Sequence, residues 1–86
     1  MFTGEEVTVK LRVDSSIEEY VYRAFPTAQK INVYKGKYTI FDVKVLGMDG
    51  ILFWILGQQD RVKVISPEEL RNKVKDIIFR MTKIYK

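Results

Sequence analysis

The strict alternation in Val7-Thr8-Val9-Lys10-Leu11-Arg12-Val13 is the strongest constraint in this chain, because it puts Val7, Val9, Leu11 and Val13 on one face of a strand and Thr8, Lys10 and Arg12 on the other. A strand with one apolar face needs a covering layer on that side and tolerates water on the other. The rest of the chain supplies that layer. Ser16 followed three residues later by Glu19 reads as a capping box, and Ile17, Tyr20, Val21, Ala24 and Phe25 recur at helical spacing until Pro26 stops the pattern. This predicts an amphipathic helix of about ten residues.

A hairpin follows, with strands over Lys30 to Tyr34 and Tyr38 to Leu46 and a turn at Lys35-Gly36-Lys37, where Gly36 is free to take the positive φ the turn needs. If Phe41, Val43 and Val45 point inward, then Tyr38, Ile40, Asp42 and Lys44 point outward. Asp49 can cap a second helix reaching about Gln58, apolar around most of its circumference and so expected to touch neighbours on more than one side. Arg61 to Ile65 reads as the last strand. Ser66-Pro67-Glu68-Glu69 then offers a cap, a proline at the first helical position and a glutamate at the third, opening a last helix of roughly 20 residues that nothing breaks before Lys86. The order β-α-β-β-α-β with an added C-terminal helix predicts an α+β, ferredoxin-like sandwich with both internal helices on one sheet face and the other face free. Its expected core is Val9, Leu11, Val21, Phe25, Phe41, Val43, Leu52, Ile55 and Val64. Residues 7–86 read as one module, and 1–6 as a tail or domain junction.

At 86 residues the chain suffices for one domain and no more. With 47% hydrophobic and 30% charged residues it should fold unaided. It contains neither cysteine nor histidine, which removes a disulfide framework, thiolate and imidazole metal ligands, and the usual acid–base side chain near neutral pH. The apolar run Ile51 to Leu56 is far shorter than the roughly 20 residues that span a bilayer. The expectation is a cytoplasmic protein with no membrane partner.

Catalysis finds little support. Ser15, Ser16 and Ser66 stand at helix starts, where capping is a sufficient account, and Asp14, Asp42, Asp49 and Asp60 lie at element ends or among lysines rather than at metal-ligand or acid–base spacing. The five glycines are scattered and form no phosphate loop. The chain is therefore expected to be no enzyme and to need no metal or cofactor.

Two binding readings remain. The net charge of +4, with an isoelectric point near 9.4, is modest, so its placement matters more than its sum. Lys10, Arg12, Lys30, Lys44 and Lys63, with Tyr34 and Tyr38, are expected on the free sheet face, a basic and aromatic surface of the kind on which single-stranded nucleic acid or a nucleotide ligand stacks. Lys35 to Phe41 approaches the RNA-recognition-motif strand signature but misses its parity, since the stacking positions hold Lys37 and Thr39; lysines on a solvated face and tyrosines packed across a hairpin are the plainer account. The second reading is protein association through the last helix, where Leu70, Val74, Ile77, Met81 and Ile84 form a seam and Phe79 lies outside it. Two internal helices already cover one sheet face, so the third must lie on the other face, on the second helix, or on another chain. Only another chain accounts for Phe79 as well, and a two-fold homodimer is the expected form.

The second half has a recognisable pattern: an Asp49-led helix ending in Ile55-Leu56-Gly57, a strand Val62-Lys63-Val64-Ile65, then Ser66-Pro67-Glu68-Glu69-Leu70-Arg71 and a helix closing on Tyr85. This resembles the C-terminal extension (WCX) module of WYL-domain transcriptional regulators. The resemblance runs from the first strand to Tyr85, and its motifs are structural rather than catalytic. It implies a non-enzymatic, ferredoxin-like regulatory module of a bacterial transcriptional regulator that mediates dimerisation and transmits an effector signal, beside WYL and helix-turn-helix domains. The Trp-Tyr-Leu signature itself is not in this sequence, because Trp54 is followed by Ile55 and Leu56. The segment Ile17 to Lys37 matches only in pattern, so no ligand contacts carry over to it.

Overall fold

The computed structural model describes residues 5–85. Four strands, β1 (Glu6–Asp14), β2 (Gln29–Tyr34), β3 (Tyr38–Leu46) and β4 (Val62–Ser66), and three helices, α1 (Glu18–Ala24), α2 (Asp49–Gly57) and α3 (Glu68–Ile84), follow the order β-α-β-β-α-β-α. The sheet runs β2-β3-β1-β4 and every neighbouring pair is antiparallel. Of the expected N-terminal tail, residues 1–4 lie outside the described residues, and Glu6 already opens β1.

Register explains the core. Val7, Val9, Leu11 and Val13 pair with Val45, Val43, Phe41 and Thr39, so the inward sets of β1 and β3 share one face. Val62 and Val64 of β4 pair with Val13 and Leu11 and join them. Over this face lie Val21 of α1, Ile51 and Ile55 of α2, and Leu70 of α3, all in one buried cluster. All three helices therefore belong to a single layer, and the molecule is a two-layer slab measuring 37 × 35 × 21 Å. Seven of the nine expected core residues are buried; Phe25 and Leu52 only lean against the cluster, which Val13, Ile17, Ala28, Ile51, Val62 and Leu70 complete.

α2 meets its neighbours on several sides, as its all-round apolar sequence requires. Ile51 and Ile55 enter the core, and Trp54 packs edge-on against Phe25 with ring centres 5.1 Å apart, tying α2 to the end of α1. Phe53 is left 76% exposed.

The helix starts differ from expectation. Asp14, not Ser16, is the first cap: its carboxylate accepts from the Ser16 N–H at 3.0 Å and the Ser16 hydroxyl at 2.8 Å, closing a single 3-10 turn over Ser15–Ile17 before α1 begins. The Asp14 carboxyl is held below its usual range by those two bonds. α2 starts on Asp49 with no side-chain cap, and Ser66 ends β4, leaving Pro67 as the residue before α3. Glu68 and Glu69 still sit in the first turn and Lys83 in the last, complementing the helix dipole.

Candidate functional site

On the uncovered face the register brings the predicted basic and aromatic residues into rows. Arg12 pairs with Ile40 on one side and Lys63 on the other, Tyr34 pairs with Tyr38, Lys10 with Asp42, and Thr8 with Lys44. Lys10, Arg12, Tyr34, Tyr38, Lys44 and Lys63 thus share one face. Lys30 does not. An irregularity between Lys30 and Asn32 shifts the register, Lys30 pairs with Phe41 on the helix-covered side, and its ammonium lies 3.3 Å from the Glu18 carboxylate of α1. Simple alternation along β2 cannot reveal such a shift.

The face is less freely cationic than its composition. The Arg12 guanidinium lies 4.4 Å from the centre of the Tyr38 ring, and Lys37 approaches the same ring at 5.8 Å. Lys10 lies 3.9 Å from Asp42. Ile40, expected to be a wet apolar residue, is only 7% exposed, since its register neighbours Arg12 and Asn32 flank it in the middle of the sheet. Arg12 Nε and Asp42 Oδ1 are buried here without a hydrogen-bond partner.

The opposite side holds a polar network that residue typing did not single out. Thr39, fully buried, donates to the Glu18 carboxylate and lies 2.9 Å from the Ser15 hydroxyl, while Lys30 donates to the other Glu18 oxygen. The Thr39 bond first, and then Lys30, hold the Glu18 carboxyl below its ordinary value. The parity that sends Phe41 and Val43 inward also sends Thr39 inward, so the signal was present in the sequence.

The predicted association residues divide. Leu70 is fully buried inside its own domain and is not available to a partner; Val74 leans on the same cluster, and Ile77 is half-buried. α3 packs on β4 and α2. The second half leaves the core behind: Ile78 is 48% exposed, Phe79 61%, and Met81, Ile84 and Tyr85 are also exposed. The amphipathic stripe continues past the end of the surface it covers.

A four-stranded antiparallel sheet with one helical layer, whose distinctive features are a stacked basic sheet face and an overhanging apolar helix, defines a small α+β accessory module built around surfaces. The family model of the WCX domain matches residues 5–82, and the chain belongs to that family. No match is found among curated proteins. The family is one of regulatory accessory domains rather than catalytic ones. Among the described residues no helix is long and apolar enough to cross a membrane.

Proposed function

We propose that this WCX domain is the non-enzymatic oligomerisation module of a cytoplasmic WYL-domain transcriptional regulator, pairing two copies through the far half of α3 and passing an effector signal to neighbouring WYL and helix-turn-helix domains. The reading takes the fold as ferredoxin-like, which the β-α-β-β-α-β order and the strand order β2-β3-β1-β4 support. One observation carries it: Phe79, Met81 and Ile84 stand exposed on a rigid helix whose earlier turns are anchored in the core. Ile78, Met81, Ile84 and Tyr85 share one side of this half, an exposed apolar surface of the kind that marks association sites, while Phe79 stands on the other side. Two-fold pairing would set two DNA-binding domains at a fixed spacing on one operator. Sedimentation equilibrium from low to high micromolar concentration tests the reading. The mass should approach twice that of the chain, and a strictly monomeric species throughout would return the helix to a purely intrachain role.

The second reading, single-stranded nucleic acid or a nucleotide on the open sheet face, is favoured by Tyr34, Tyr38, Lys44 and Lys63 and by Arg12 Nε, a buried donor without a hydrogen-bond partner. Titration with single-stranded oligonucleotides at two salt concentrations decides it. Binding through several cations weakens steeply as salt rises, and no binding at low salt removes this reading.

A further inference from the structure

A hollow of about 300 Å³ lies between α3, β4 and the turn after α2, with Val62, Val64 and Val74 among its walls. It adjoins a second of about 290 Å³, lined by Leu56, Ile78 and Met81, and the two share Val62, Val74 and Ile78, so they form one groove. Its size lies at the lower end of small-molecule sites, which run from roughly 300 to 1,000 Å³.

The charge along this groove is uneven. Arg71 and Lys75 of α3 border the first hollow, Lys63 borders it from β4 with its side chain on the open sheet face, and no cation borders the second. Among the described residues no carboxylate lies within ion-pairing distance of any of the three. Asp60 is the one acidic residue on the rim, so the two α3 cations outnumber the acids there. Beside Asp60, Gln59 takes a left-handed backbone conformation at φ +64°, a strain that a non-glycine residue keeps only where its surroundings impose it. A cationic mouth leading to an apolar trough is complementary to a molecule with an anionic head and an apolar body.

We propose that the α3–β4 groove binds a free amphipathic anion, with a carboxylate head at Arg71 and Lys75 and an alkyl or aromatic body lying over Val62, Val74 and Ile78. This deepens the effector part of the proposed function and rests on that reading only for the consequence of binding. Because Met81 belongs both to the groove and to the exposed half of α3, occupancy would reach the surface through which two copies pair.

The test is calorimetric titration of the whole chain with decanoate, below the concentration at which it forms micelles, alongside decylammonium as the charge-reversed probe. Decanoate should bind saturably at one per chain and decylammonium should not. Arg71→Ala with Lys75→Ala should weaken decanoate at least about tenfold, the worth of charged contacts in a partly dry site. Ile78→Glu, at a half-exposed position that leaves folding intact by circular dichroism, should abolish binding by placing a carboxylate in the trough. Non-saturable binding, equal binding of both probes, or unchanged affinity in the double variant would overturn the proposal. Sedimentation of the same samples separates the two readings: a monomer that binds decanoate overturns pairing and leaves the groove, and a dimer that does not bind it overturns the groove alone.

Discussion

The two halves of α3 carry the same amphipathic pattern and meet opposite fates. In the first half Leu70 is sealed in the core and Val74 rests against it; in the second, Phe79 and Ile84 stand 61% and 73% exposed. Helical periodicity reports only that one side of a helix is meant to be covered. What covers it depends on how closely the sheet and α2 approach, and along this 17-residue helix the seam passes from Leu70, fully buried, to Ile84, largely exposed. One sequence seam therefore splits into an intrachain anchor and a free surface.

The largest expected effect tests the anchor. Leu70→Ala should cost about 2–5 kcal/mol in urea unfolding, because a fully buried leucine leaves a cavity as well as lost transfer energy. Leu11→Ala, at the centre of the sheet, should fall in the same range. An unchanged midpoint for Leu70→Ala would erase the distinction between the halves.

The free half should respond in mass rather than stability. Phe79→Ala should change the unfolding midpoint of the monomer by about 0.5 kcal/mol or less, as surface substitutions do, yet weaken pairing by about 1–3 kcal/mol. Ile77→Asp, at the boundary between the halves, should do both. Sedimentation equilibrium and urea unfolding on the same samples check this, and a Phe79→Ala protein that loses stability without losing mass would place Phe79 with the anchor.

A further variant works at the opposite edge of the sheet. Glu18→Gln removes the charge that accepts from Thr39 and Lys30 and should cost about 1 kcal/mol near neutral pH, with no effect on mass. Because the folded-state carboxyl is held below its ordinary 4.5, its contribution is fully present above that value and is lost as pH falls through it toward the lower folded-state value. The gap between wild type and variant in thermal unfolding should therefore close in acid. A gap that widened there would reverse the sign of the assignment.

The smallest effect belongs to the hairpin. Lys35 and Gly36 both take positive φ, +57° and +65°, as the central residues of a type I′ turn require. Lysine pays a steric penalty there that glycine avoids, so Lys35→Gly should stabilise by about 0.5 kcal/mol after the added chain entropy is counted. Thermal unfolding measures it, and the association state should not move.

The sequence by itself determined the elements and their inward faces. Val7 to Val13 and Phe41 to Val45 alternate so strictly that a one-residue slip would turn every apolar side chain to water, and the Lys35-Gly36-Lys37 turn fixed how β2 and β3 meet. Most of the open sheet face followed from the same parity. Tertiary structure alone decided the rest. The bulge after Lys30 moved that lysine to the helix side, where Glu18 receives it, because a strand's alternation fails wherever one residue is added to a ladder. Ser16 gave way to Asp14 as the first cap because the chain leaves β1 through a 3-10 turn. The groove beside β4 and the division of α3 had no local signal. Both depend on where one element ends against another, and that distance is set by packing between residues far apart in the chain.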